Sequence, residues 1–170
     1  MSTLIPMLAA QRDLYEEVIL EHNRHPRHYL ENPAGSNRHG HGFNPLCNDE
    51  VSVHLRVAGG AIEEVGFEGA GCAVSIASAS MMTEAVRGKT LEEVGALFQR
   101  VHAMLAGNGP ADGVGKLKVL EGVREFPMRV KCATLPWHTL VAALEDRTNT
   151  VTTEDAVPAC PQPLRAAFEP

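Results

Sequence analysis

A chain of 170 residues is long enough to bury one core of ordinary size and short for two. Its hydrophobic fraction of 44% is that of a folded domain, whereas aromatics at 5% leave little for base-stacking platforms, and 15 basic against 21 acidic residues give a net charge of -6 that repels a phosphate backbone. Nucleic acid is therefore a poor partner. No stretch reaches membrane-spanning length and the start lacks a basic segment followed by an apolar run, which predicts a cytoplasmic protein without a membrane partner.

In chain order, Leu14, Val18 and His22 recur at spacings of four within 11–23, which predicts an amphipathic helix closed by Pro26. The segment 25–46, rich in Pro, Gly, Asn and His, reads as an irregular connection with a short strand just before Asn44. Val51 to Val57 alternates apolar with polar residues, and Ile62 to Phe67 follows the pair Gly59-Gly60, which is the signature of a β-hairpin. Gly69 and Gly71 are expected to break the second strand, and a run of small residues then begins a helix beside Cys72. Thr90 to Glu93 matches a capping box and opens a helix to about Leu105. A Gly/Pro/Asp loop over 106–115 leads to a short helix around Leu117 to Val123. Pro127 starts a last helix that runs through Cys132 toward Leu144, with Pro136 expected to bend it. The picture is an α+β domain over 1–147, a small antiparallel sheet packed against several helices, followed by a loose tail over 148–170 that holds Cys160.

Four cysteines in a reducing compartment bind metal or do chemistry more often than they form disulfides. Cys47, Cys72 and Cys132 each sit at the end of an element or early in one, and Cys47 and Asp49, two apart in extended chain, address the same side. Cys47, Asp49, Cys72 and Cys132 would make a plausible tetrahedral set for zinc, though by spacing alone scattered cysteines are more often buried small residues. A single reactive thiol is the other reading, with Cys72 at a helix start and Cys132 beside Lys131. His22, His25, His28, His39 and His41 crowd one segment at irregular spacing and read as solvated or singly hydrogen-bonded side chains. His54 and His102 read as surface or boundary residues, and His138 as packing beside Trp137.

With these residues in view, three stretches resemble the motifs of the U-type iron–sulfur cluster assembly family, the group of IscU, the N-terminal part of NifU, and SufU. "NPLCND" stands where the family has Asn-Pro-x-Cys-Gly-Asp, "FEGAGCAVSIASASMMTEAVRGK" is close to its second cysteine motif, and "FPMRVKCATLPWHTL" is similar to its third. The interval from Cys72 to Cys132 has room for an extra loop and helix, and Lys131 replaces the histidine that precedes the third cysteine of the IscU branch. Both features resemble the SufU branch. The resemblance implies a three-stranded antiparallel sheet packed against helices, and zinc held by Cys47, Asp49, Cys72 and Cys132. It implies a zinc-dependent, sulfurtransferase-like relay in iron–sulfur cluster assembly. Cys47, freed by ligand exchange, would take persulfide sulfur from a SufS-type cysteine desulfurase and pass it to a Suf-type cluster scaffold. Arg129, one turn before Cys132 if that segment is helical, is a candidate to stand behind the ligands or to offer a docking charge, with an ordinary surface salt bridge as the equal alternative. The alternatives are a scaffold that binds iron as a transient [2Fe–2S] cluster, and a purely structural zinc. Asn48 replaces the family's usual glycine; if that position needs a positive φ, asparagine is among the few residues that tolerate it, at the cost of a stiffer loop.

Overall fold

The alternation of Val51, Val53 and Leu55 sends all three side chains to one face, where each is fully buried, while Glu50, Ser52, His54 and Arg56 face outward. The computed structural model describes residues 16–30, 32–107, 109, 112–146 and 150–152. Strands β1 (Arg38–Asn44), β2 (Asp49–Ala58) and β3 (Ala61–Ala70) form an antiparallel meander. A register shift between Arg56 and Val57 lets both Ile62 and Val65, three residues apart, point into the core. A fourth strand, β4 (Val151–Thr152), pairs in parallel with β1, so the sheet order is β3-β2-β1-β4. The expected sheet of three strands is thus one short; a two-residue strand carries no alternation by which a sequence could reveal it. The tail expected from 148 lies otherwise outside the described residues, as do Cys160 and Leu14.

A first helix, α1, is described over residues 16–24. It is followed by α2 (Ala73–Val86), α3 (Leu91–Leu105), a 3₁₀ helix (Gly115–Glu125) and α4 (Pro127–Leu144). The capping box is formed: the Thr90 hydroxyl accepts from the Glu93 N–H at 3.2 Å, and the Glu93 carboxylate accepts from the Thr90 N–H at 3.0 Å. The short helix expected at 117–123 is 3₁₀ in form, with Leu117, Leu120 and Val123 buried at the three-residue spacing of that helix. Pro136 lies inside α4 without ending it, and the residue is buried. Gly69 does not end β3; it pairs with Val51, and a Cβ there would strike the Glu50 carbonyl, so the glycine marks a close backbone approach within the strand. Gly40 and Gly42 likewise let β1 lie flush on α4 at Thr139 and Ala143. The core lies between the inner face of the sheet and helices α2 and α4, with Trp137, Phe67 and Met82 among its largest buried side chains. The irregular connection is tied to the edge of β3 by Leu30 N–H to the Phe67 carbonyl at 2.7 Å and Phe67 N–H to the His28 carbonyl at 3.0 Å.

Candidate metal centre

The three cysteines arrive from three elements that end at the same corner. Cys47 lies in the turn between β1 and β2, Cys72 caps the N-terminus of α2, and Cys132 sits in the second turn of α4. The turn holds its shape through Asn44, fully buried, whose side-chain oxygen accepts from the Leu46 N–H at 3.1 Å and whose amide nitrogen approaches the Cys132 sulfur at 3.6 Å. Asn48 has φ +56°, the left-handed conformation for which asparagine substitutes for glycine at tolerable cost. That kink brings Asp49 back into register as the first residue of β2, opposite Asn44.

Asp49 is fully buried, and its Oδ1 accepts the Cys72 N–H at 2.7 Å while Oδ2 stands 3.7 Å from Cys72 Sγ. Gly71 makes this possible, because a Cβ at that position would collide with the Asp49 carboxylate. Cys47 Sγ and Cys132 Sγ are 3.2 Å apart. Ligand atoms of Cys47, Asp49 and Cys132 lie within 4.8 Å of one another, a set that could hold a metal ion, with Cys72 directly against Asp49. The fit is good on chemical grounds: soft thiolates with one carboxylate suit zinc or iron–sulfur chemistry. Two thiolates at a tetrahedral zinc stand roughly 3.8 Å apart for Zn–S bonds of about 2.3 Å, so the Cys47–Cys132 pair need open only slightly.

The thiols share their protons unequally. Cys72 is pushed down to about 7, first by its hydrogen bond with Cys132 and then by the N–H groups of Ser75 and Val74 at the start of α2, against burial and the Asp49 charge. Cys132 is pushed strongly up, first by the same bond with Cys72, then by burial and by Cys47 and Asp49. Within the pair the balance thus favours ionisation of Cys72 over Cys132.

A cleft of about 440 Å³ opens onto the sulfurs, lined by Glu16, Ile19 and Leu20 of α1, Cys47, residues 72–74, Met128, Arg129 and Cys132. Leu20, Leu46 and Met128 are among the large apolar side chains left exposed. The Arg129 guanidinium lies over the Phe126 ring at 4.5 Å and borders the cleft, one turn before Cys132. The five residues singled out in the sequence thus meet at one corner. The reading from sequence gave Asn44 no part in the site and took Gly71 only as a strand breaker; the signal for both was their place at element ends beside a candidate ligand. It also passed over the pairing of His39 with His54, which stands on the outer face of the sheet.

A sheet with helices on one face and three cysteines with an aspartate at its end defines a protein of the U-type assembly class. Residues 14–133 match the family described as the NifU-like N terminal domain, and the chain belongs to that family. It is 37% identical over 131 residues to the zinc-dependent sulfurtransferase SufU of Bacillus subtilis, covering 75% of this chain and 86% of that protein. It is 36% identical over 146 residues to the iron–sulfur cluster assembly scaffold protein IscU of Streptococcus pyogenes, covering 84% of this chain and 89% of that one. The crystal structure of a NifU-like protein (N-terminal) from Brucella abortus superposes with a TM-score of 0.72 at 26% identity, over 79% of this chain and 94% of that one. Among the described residues no helix is long and apolar enough to cross a membrane.

Proposed function

We propose that this protein serves iron–sulfur cluster assembly as a zinc-dependent sulfur acceptor, working in the cytoplasm with a SufS-type cysteine desulfurase and delivering to a Suf-type cluster scaffold. The observation that carries the reading is the meeting of three thiols and one carboxylate at the mouth of an open cleft. The similarity to a protein named as a zinc-dependent sulfurtransferase supports it. Cys47, Asp49, Cys72 and Cys132 would hold the metal, which when bound keeps thiols deprotonated without adding redox chemistry of its own.

Cys47 is the acceptor in this reading because it is half-buried on a turn, where it can move without breaking a strand ladder or a helix. Its thiolate attacks the outer sulfur of the desulfurase persulfide. A new S–S bond forms on Cys47 as the old one breaks, and the desulfurase cysteine leaves as a thiolate, with no oxidant or reductant consumed. Asp49 and Cys132, both buried, keep the corner in shape while Cys47 works. Arg129 offers a positive charge at the mouth of the cleft, where an anionic persulfide would enter.

The experiment is desulfurase turnover with and without this protein, as wild type and as Cys47→Ala. Stimulation by the wild type that is lost in the variant is the expected outcome; equal stimulation by both removes Cys47 from the role. A second reading, a scaffold for a transient [2Fe–2S] cluster, is favoured by the similarity to IscU and by the same thiolates. Protein purified without added metal separates the two: about one zinc per chain and no visible absorption supports the acceptor, and a brown protein carrying iron and acid-labile sulfide supports the scaffold.

A further inference from the structure

On the outer face of the sheet, away from α2 and α4, the antiparallel register sets His39 of β1 directly opposite His54 of β2. Side chains at opposed positions of neighbouring strands have Cβ atoms about 5 Å apart, and here the two imidazoles turn their Nδ1 atoms toward each other at 2.8 Å. Such a contact needs one nitrogen bearing a proton and one bearing a lone pair. Glu68 of β3 decides which: His54 Nε2 stands 3.2 Å from Glu68 Oε1, so this nitrogen carries the proton and donates it to the carboxylate. His54 Nδ1 is then the lone pair, aimed at His39. The His54 side chain is only 15% exposed, so its ring is held between its two partners, whereas His39 is exposed.

A ring whose far N–H is fixed by a carboxylate, leaving a directed lone pair on the near nitrogen, is how proteins orient metal-ligating histidines. The second ring supplies a matching nitrogen. Two nitrogens each about 2.0–2.1 Å from a metal stand roughly 2.9–3.4 Å apart at angles between square and tetrahedral, so the pair, 2.8 Å apart, opens by roughly 0.1–0.6 Å and the two rings turn until both lone pairs converge on the ion. We propose that His39 and His54 form a second divalent transition-metal site on the outer face of the sheet, with Glu68 orienting His54. The ions that imidazole suits are zinc, copper and nickel, with solvent completing the coordination. Binding moves the His39 proton from Nδ1 to its solvent-facing Nε2, so both rings stay neutral and no proton is released. The site lies five residues along β1 from Asn44, roughly 17 Å at the rise of a strand, and is therefore separate from the cysteine corner. His41, on the same face two residues on, makes its contact with Ser52 at 2.8 Å instead and serves as the control.

The test is titration of nickel(II) into the full-length chain that has first been saturated with zinc and dialysed, followed by the histidine ring and backbone amide resonances. The expected result is paramagnetic broadening that begins at the His39 and His54 rings and the adjacent Gly40 and Val53 amides. His39→Gln and His54→Gln each lower the apparent affinity at least tenfold, Glu68→Gln lowers it about 10–100-fold, and His41→Gln leaves it unchanged. All four positions point away from the core, and an unaltered amide spectrum verifies the fold of each variant. Broadening that starts elsewhere, or an affinity that His39→Gln or His54→Gln does not change, overturns the site and leaves a hydrogen-bonded pair. Because the readout is local to the two rings, it does not depend on what the cysteines hold.

Discussion

One oxygen of Asp49 accepts the Cys72 backbone N–H at 2.7 Å while the other stands 3.7 Å from the Cys72 sulfur, so a single carboxylate ties the start of β2 to the start of α2 and faces the thiol as well. These two tasks separate by mutation. Asp49→Ala leaves the Cys72 N–H without its acceptor, which costs about 1–3 kcal/mol. Asp49→Asn can keep an oxygen in place and so costs less, yet both variants lose the charge that favours a cation. Urea unfolding of metal-free protein should rank wild type above Asn above Ala, while zinc uptake falls in both variants; equal destabilisation by Asn and Ala would deny the structural half of this account.

Gly71 leaves the space that Asp49 fills. In Gly71→Ala the new methyl meets the carboxylate's Oδ1, Cγ and Cβ, so the acid must swing away or the strand end must shift. Overpacking of this kind costs about 1–3 kcal/mol, and the corner should bind zinc less tightly. A chelator-competition titration together with thermal unfolding reads both effects, and an unchanged pair of values would show that the corner has slack.

Asn48 holds a left-handed backbone at φ +56° in the turn that carries Cys47. Asn48→Gly should therefore be close to neutral in stability with a looser turn. Asn48→Ala should cost on the order of 1 kcal/mol through the left-handed penalty. Hydrogen exchange at the Leu46 amide, which donates to Asn44, reports the change: faster in the glycine variant at equal global stability.

Burial lowers the pKa of His102 below the ordinary histidine value, and burial followed by the nearby Arg27 charge does the same for His22. A folded-state value below the unfolded one means that the unfolded chain binds more protons in between. The contribution to stability is then fully present above the ordinary histidine range and is lost as pH falls through the lowered folded values. Urea midpoints should drop between neutral pH and pH of about 5, and His102→Gln should flatten part of that slope. His22→Gln also loses a 2.8 Å hydrogen bond to Ser80, so it should be less stable at neutral pH as well.

Arg129 stacks on Phe126 at the exposed mouth of the cleft. An exposed contact of this type contributes about 0.5–1 kcal/mol, so Arg129→Ala should barely move the unfolding midpoint. If the charge receives an anionic persulfide, the same variant should raise the concentration needed to stimulate a desulfurase, with Arg129→Lys intermediate. A variant indistinguishable from wild type in that assay would reduce Arg129 to a surface stack.

The elements were legible where a local rule fixes them. Period-two alternation gave the β2–β3 hairpin, Thr90 and Glu93 gave the start of α3, and Pro127 gave the start of α4. The left-handed backbone at Asn48 was foreseen only as a condition, from asparagine standing where the family it resembles has glycine, and the turn does adopt it. Less legible were features set by contact with something distant in the chain. Gly69 looked like a strand breaker and is a strand residue, since its lack of a side chain serves the Glu50 backbone alongside. The two-residue β4 is too short to show a period.

By itself the sequence determined which residues are candidates: three cysteines and an aspartate at the ends of elements, in motifs similar to those of one family. Only the tertiary structure decided that β1, β2, α2 and α4 end at one corner, so that Cys132 reaches Cys47 at 3.2 Å across 85 residues. The same holds for His39 and His54, which read as separate surface residues until strand pairing made them neighbours. The reason is physical. Side-chain type and local spacing are properties of the chain, whereas register, bulges and helix docking are fixed by burial of the whole apolar set at once, and ligand distances follow from that burial.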